Sequence, residues 1–275
     1  MVGVVTDSAA NLPPHLLEGL PVRVVPLTLV LGEEAYRDGQ DITLAEFYRR
    51  LGRGVELATT SAASPEAWLE GFEGAGTEEV VCITVAASMS SNHHHAVLAA
   101  QRFPGRVEVV DSRSASMAEG FVVLEAARLA AQGASLEAVA ARAREVADRT
   151  RLYAMVETFE HLRRSGRVSK LQAYAATMLD IKPVFVFRGG EVAPVGRART
   201  RRKALARMVE ECVAEVGDRP AHVAAVHAAA EEDARAVLEA VAERANVVER
   251  LVTEVTPVIG AHVGPGLVGL AFYCD

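Results

Sequence analysis

The chain opens with Val2-Gly3-Val4-Val5-Thr6-Asp7-Ser8, a short apolar run that ends abruptly in hydroxyl and acidic residues. The same order recurs at Val80–Ser91 and at Val107–Ser112, and Ala-rich stretches typical of helices follow. Continuous apolar strands separated by helices predict a parallel sheet that is covered on both faces. We therefore expect an α/β fold whose first half is a Rossmann-like domain.

The two halves of the chain differ in the order of their predicted strands and helices. Val22–Leu31 completes the strands expected in the first half, and Thr59-Thr60-Ser61 is expected to lie in a connector. In the second half, strand-like segments at 183–187 and 191–195 follow one another without a helix between them, which is typical of antiparallel pairing in an α+β domain. We predict two domains, residues 1–149 and 150–275, with the boundary near residue 149.

Composition and length exclude several classes of protein. The chain has 275 residues, of which 50% are hydrophobic and 24% are charged, and this composition excludes a mainly disordered chain. Cys82, Cys212 and Cys274 are too far apart for a close-spaced zinc site and predict buried, reduced thiols. The first residues lack a basic signal-peptide region, and no run approaches the roughly 18 apolar residues of a membrane helix. We expect a cytoplasmic protein.

Charge is distributed unevenly along the chain. The net charge is −7, yet residues 151–203 carry twelve Lys and Arg against four Asp and Glu. An acidic protein with one cationic segment is a poor candidate for bulk nucleic-acid binding, because its overall field opposes phosphates. The segment fits a local site for a phosphate, a carboxylate or an acidic partner, and a regulatory or nucleic-acid-binding role of Arg197–Lys203 stays open as an alternative.

Hydroxyl-bearing residues cluster where the predicted strands end. In open parallel sheets, ligands bind beyond the carboxyl ends of the strands. Ser90, Ser91 and Asn92 together exceed what one helix cap requires, and Thr60 and Ser61 add two further hydroxyls. The sequence therefore predicts a ligand site that is rich in uncharged hydrogen-bond donors.

Other motifs narrow the function. The sequence contains no P-loop motif, and Gly264–Gly269 matches Gly-x-Gly-x-x-Gly but precedes a predicted strand instead of a helix, so dinucleotide binding is disfavoured. Three consecutive histidines, His93–His95, cannot all face one metal ion on a helix. An acyl-ester hydrolase that uses Ser90 with His262 stays open, although the Gly-x-Ser-x-Gly elbow is absent.

Six blocks of sequence, in order, resemble the DegV family of bacterial fatty-acid-binding proteins, and the resemblance runs nearly end to end. These blocks are Val5–Pro13, Thr60–Pro65, Leu162–Ser169, Ile181–Pro183, Arg199 with Lys203-Ala204, and Gly260–Gly266. A further segment, outside these six blocks, departs from the family pattern. The family's Ser-Gly-Thr reads Ser90-Ser91-Asn92 here, and the amide of Asn92 can still donate a hydrogen bond.

The resemblance implies a two-domain fold that holds one long-chain fatty acid in an apolar tunnel between the domains. It implies that Thr60 and Ser90 hold the carboxylate, with His262 and Arg167 nearby. It also implies that a separate ATP-dependent fatty acid kinase converts the bound acid to acyl phosphate, with Arg199 and Arg201 facing that kinase or the product phosphate. We expect no cofactor, no metal, no catalytic residue in this chain, no nucleic-acid partner and only transient membrane contact. The expected ligand-binding residues are Thr60, Ser61, Ser90, Ser91, Asn92, His262 and Arg167.

Overall fold

The computed structural model describes residues 1–51, 58–166 and 181–275. In chain order the described strands are β1 (Gly3–Asp7), β2 (Val22–Val25), β3 (Thr28–Leu31), β4 (Glu34–Arg37), β5 (Ala58–Ser61), β6 (Glu79–Thr84), β7 (Arg106–Asp111), β8 (Arg151–Met155), β9 (Lys182–Arg188), β10 (Glu191–Ala198), β11 (Ala221–His227), β12 (Val247–Glu254) and β13 (Val268–Cys274). The described α-helices are α1 (Leu44–Leu51), α2 (Pro65–Glu73), α3 (Asn92–Ala100), α4 (Met117–Ala131), α5 (Leu136–Arg149), α6 (Glu160–Ser165), α7 (Arg201–Val216), α8 (Glu231–Ala242) and α9 (Pro257–Val263). None of these helices is long and apolar enough to cross a bilayer.

The predicted parallel sheet is confirmed. It has four strands in the order β2-β1-β6-β7, and all three pairings are parallel. Every residue of β1 is buried, because α4 packs against this sheet together with α5, and α2 and α3 pack against it as a second pair. The strand order reverses direction between β1 and β6, and a crevice at such a reversal is where open α/β sheets bind ligands.

The second half forms the expected mixed α+β unit. Its six-stranded sheet has the order β10-β9-β8-β13-β11-β12, in which only β11 and β12 pair in parallel. One face of this sheet shares an apolar core with the parallel sheet, and the other face packs against α7 and α8. The parallel sheet ends at Asp111 and the mixed sheet begins at Arg151, while a domain boundary at residue 149 stays a prediction.

Two local predictions are wrong. Val22–Leu31 is not one strand: it breaks at Pro26, and the second part, β3, joins a separate antiparallel sheet of order β4-β3-β5. Proline has no N–H for a ladder, and the next N–H, that of Leu27, donates instead to Ser8 Oγ at 3.1 Å. The expected connector at Thr59-Thr60-Ser61 is part of β5 and pairs with β3.

A buried hydrogen-bond network around Asp7 holds the edge of the parallel sheet where the strands end. The carboxylate of Asp7 accepts from the N–H groups of Ala9 and Val85, each at 3.0 Å, and from the Asn92 amide at 2.6 Å. The Asn92 carbonyl oxygen in turn accepts from the Ala63 N–H at 3.1 Å and from the indole N–H of Trp68 at 3.3 Å. Burial raises the pKa of Asp7 to about 6, although these donors oppose the shift. The network therefore ties β1, the loop after β6, α3 and the start of α2 together.

We expect Asn92→Ala to lower the free energy of unfolding by about 2–4 kcal/mol, because it leaves several buried polar groups without partners. Urea unfolding of the full chain measures this loss. Ser91→Ala is the matched control, since Ser91 is exposed and its side chain makes no capping hydrogen bond. The control should stay within about 0.5 kcal/mol of the parent protein. Equal losses for the two variants would contradict the structural role of Asn92.

Candidate functional site

A largely apolar cavity lies between the parallel sheet and the six-stranded sheet. The space between its walls is about 1020 Å³, including the part at the mouth that is open to solvent. Its apolar lining includes Leu27, Val85, Met89, Leu152, Ala154, Leu162, Phe185, Phe187, Val192, Val226, Val258, Ile259 and Leu267. Its polar side chains are Thr60, Ser61, Ser90, Ser116 and His262. A long apolar ligand with one polar end matches this lining.

The polar part of the cavity centres on a hydroxyl–imidazole pair. Thr60 Oγ1 and His262 Nε2 are 2.9 Å apart, although the two residues are 202 positions apart in the sequence. Both side chains are half-buried. Together they offer hydrogen bonds to an anionic oxygen without placing a permanent cation in an apolar cavity.

His262 lies on α9, and a buried carboxylate fixes the start of that helix. Asp38 Oδ1 accepts from the Val258 N–H at 2.9 Å, and Asp38 Oδ2 accepts from Ser8 Oγ at 2.7 Å. Burial raises the pKa of Asp38, and these two donors oppose that shift. Acceptors at a helix N-terminus satisfy its free N–H groups. Ser8 and Asp38 therefore fix the position of α9, which carries His262. The sequence alone did not indicate this role of Asp38.

Glycines let α9 and the turn after it approach their neighbours closely. A Cβ on Gly260 would lie 2.7 Å from Leu44 Cδ1 and 2.9 Å from Tyr48 Oη. Gly264 has a φ of +74°, and a Cβ there would collide with the ring of His161. The glycines beside His262 therefore serve the packing of α9 against α1 and α6.

The other predicted hydroxyls divide into two groups. Ser61 and Ser90 line the cavity with Thr60, and Ser90 Oγ also accepts from the Asn92 N–H at 3.2 Å. Ser91 and Asn92 are not among the residues that line it, and a ligand contact by either residue stays a prediction. Ser91 faces solvent, and the amide of Asn92 is occupied by the Asp7 network.

The predicted basic residues also have different surroundings. Arg167 lies outside the described residues. Arg199 is exposed in the turn between β10 and α7. Arg201 instead pairs with Asp233 at 2.6 Å and with Glu157. These ion pairs link α7 to α8 and to the segment before α6, and a phosphate or partner contact of Arg201 stays a prediction.

The six-stranded sheet supplies an apolar wall of the cavity. Phe185, Ala154 and Val226, from β9, β8 and β11, stand in one row across the sheet, and all three line the cavity. Gly269 on β13 lies in this row between Ala154 and Val226, and a Cβ there would lie only 2.8 Å from Val226 Cγ2. The side chain of Val226 therefore covers Gly269, and Ala154 is the smallest side chain of the row that lines the cavity.

The remaining sequence alternatives gain no support from the geometry. His262 Nε2 bonds to Thr60 and Ser90 Oγ accepts a backbone N–H, so no Ser90–His262 hydrogen bond favours a hydrolase. His93 bonds to Thr84 and His95 bonds to the Ala63 carbonyl, so the histidine run does not converge. Within residues 1–51, 58–166 and 181–275, no group of three or more His, Cys, Asp or Glu is placed to hold a metal ion.

Comparison with known proteins gives one family. A family model described as "Uncharacterised protein, DegV family" matches residues 1–275. A DegV domain-containing protein of Streptomyces coelicolor is 36% identical over 273 residues, which is 98% of this chain and 97% of the relative. A DegV domain-containing protein of Mycobacterium tuberculosis is 36% identical over 274 residues, which is 98% of this chain and 96% of the relative.

Solved structures agree with this assignment. A DegV family protein from Thermus thermophilus, described for its fatty acid binding, has a TM-score of 0.94 and 36% identity, and the match covers 100% of this chain and 99% of that one. DegV of Bacillus subtilis, described as a fatty acid binding protein, has a TM-score of 0.88 and 30% identity over 100% of this chain and 99% of that one. With the whole chain matched by the family model and by these relatives, this protein belongs to the DegV family.

Proposed function

We propose that this protein binds one long-chain fatty acid, with the acyl chain in the apolar cavity and the carboxylate at Thr60 and His262. The observation that carries the proposal is the Thr60–His262 pair, 2.9 Å between Oγ1 and Nε2, in a largely apolar lining. The fatty acid binding described for the relatives from Thermus thermophilus and Bacillus subtilis supports it.

Moving a fatty acid from water into the cavity requires both an apolar lining and polar partners for the carboxylate. An acyl chain of about 16 carbons gains roughly 0.8 kcal/mol per buried methylene, on the order of 10 kcal/mol before ordering costs. The carboxylate cannot enter an apolar cavity without partners, because an unsatisfied buried charge costs far more than one hydrogen bond returns. Hydroxyls and an imidazole provide partners where the lining is otherwise apolar.

We further propose that the protein presents this carboxylate to a separate ATP-dependent fatty acid kinase for acyl-phosphate formation, as the family resemblance implies. Thr60, Ser90 and His262 are half-buried and Ser61 is exposed, so a carboxylate bound among them would lie near solvent. The chain has no P-loop motif to bind ATP in that way itself.

Native mass spectrometry of the purified full chain tests the binding proposal. We expect a mass increment that corresponds to one long-chain fatty acid, released on denaturation, and a higher melting temperature after palmitate or oleate is added. Absence of both the increment and the thermal shift would refute the proposal. With a purified kinase and ATP, the loaded protein should support ADP release and the lipid-free protein should not.

Thr60→Val should weaken fatty acid binding by roughly 10- to 100-fold, because it removes a hydrogen bond to a charged group worth about 1.5–3 kcal/mol. Unfolding stability should change little, since valine is nearly the same size and Thr60 is half-buried. Titration with palmitate measures the affinity. Thr59→Val is the matched control, because Thr59 is the exposed neighbour on β5 and is not part of the cavity lining. Equal affinities for the two variants would remove Thr60 from the headgroup site.

Ala154 lines the cavity, so Ala154→Phe should reduce the space for the acyl chain and shift the binding preference toward shorter acids. Affinity for stearate should fall by about tenfold or more, since lost methylene contacts each contribute roughly 0.8 kcal/mol, while laurate should be affected less. Ala193→Phe is the control, because Ala193 is exposed on β10 of the same sheet. A uniform loss across chain lengths would contradict a contact between Ala154 and the acyl tail.

A further inference from the structure

Ser116 combines a rare backbone conformation with a buried hydroxyl. Its backbone has a φ of 54° and a ψ of −150°, in the left-handed half of the map that non-glycine residues rarely adopt. The residue is 3% exposed, and its Oγ has no hydrogen-bond partner among the residues that the structure describes. Ser116 also lines the cavity.

Backbone hydrogen bonds, and not the hydroxyl, hold Ser116 in place. Its N–H donates to the Ala9 carbonyl at 2.8 Å, and its carbonyl accepts from the Gly120 N–H at 2.9 Å in the first turn of α4. A strained residue and a buried hydroxyl without a partner both cost folding free energy. Such features persist at functional sites, where a ligand supplies the missing partner.

We propose that Ser116 Oγ donates a hydrogen bond to an oxygen of the bound acyl ligand, an inference that rests on the proposed function. Two oxygens have this acceptor chemistry: the carboxylate, and a hydroxyl or carbonyl carried by the acyl chain. Ser116 is buried, whereas Thr60, Ser90 and His262 are half-buried. Ser116 therefore adds a buried hydroxyl to the polar part of the site, beyond the half-buried Thr60 and His262.

Ser114 provides a matched control for this proposal. It is 2% exposed and its Oγ also has no partner among the described residues, yet it is not part of the cavity lining. Ser116→Ala and Ser114→Ala therefore each remove a buried hydroxyl without a protein partner, and only the first removes it from the cavity.

The test measures the affinities of the delipidated full-length variants for palmitate, 3-hydroxypalmitate and 10-hydroxystearate. Ser116→Ala should weaken at least one of them by about tenfold, and Ser114→Ala should leave all three within about twofold. A similar loss for all three acids assigns the contact to the carboxylate, and a loss confined to a hydroxy acid assigns it to the chain oxygen. The proposal is overturned if Ser116→Ala binds all three as the parent protein does, or if Ser114→Ala shows the same loss.

Ser116→Gly separates folding from binding. Glycine adopts a positive φ without strain, so the lipid-free variant should melt at a higher temperature than the parent while losing the same affinity as Ser116→Ala. A glycine variant with full affinity would overturn the proposal. If the parent protein binds none of the three acids, both the proposed function and the role of Ser116 fail. If the parent and Ser116→Ala bind all three acids equally well, only the role of Ser116 fails.

Discussion

The hydrogen bond between Thr60 Oγ1 and His262 Nε2 joins the two parts of the chain that form the polar end of the cavity. Thr60 lies on an edge strand of the small antiparallel sheet, and His262 lies in the last turn of a short helix near the end of the chain. This hydrogen bond is not the only contact that fixes the position of the helix. The pair depends on Asp38, whose carboxylate fixes the start of that helix and bonds to Ser8 beside the first strand.

Under the proposed function, this arrangement would reconcile burial of an acyl chain with an accessible carboxylate. An apolar cavity favours the chain by the hydrophobic effect, and the same low polarity opposes an unpaired charge. Half-buried uncharged donors at one end meet both demands. The six-stranded sheet contributes the large side chains of Phe185 and Phe187 and the small one of Ala154 to the cavity lining, so this wall is apolar.

The architecture could be predicted from the sequence because its strongest signals are local. Apolar strands such as Val80–Thr84, each followed by a helix, have few structural solutions other than a parallel sheet. Pro26 was available as a signal for the break between β2 and β3, since proline cannot donate to a ladder. Thr256-Pro257 repeats the helix-start pattern of Ser64-Pro65. This pattern predicts a helix that begins at Pro257 and includes His262.

The site was less predictable, since its contacts join distant parts of the chain. The hydroxyls Thr60 and Ser90 and the imidazole of His262 could be selected by residue type and by family resemblance, and the structure places all three at the cavity. Asn92 is also an uncharged hydrogen-bond donor, but its amide donates to the carboxylate of Asp7, which is 85 positions away. Local sequence likewise gives no indication that Asp38 reaches Val258, or that Ser116 takes a positive φ.

A crystal structure of the protein with palmitate tests the central claim most directly. The headgroup and tail assignments predict a carboxylate oxygen within hydrogen-bond distance of Thr60 Oγ1, about 2.5–3.0 Å, and an acyl chain in contact with Ala154 and Phe185. A palmitate bound elsewhere on the protein, or one whose carboxylate lies against the phenylalanine wall while its methyl end meets His262, would contradict them.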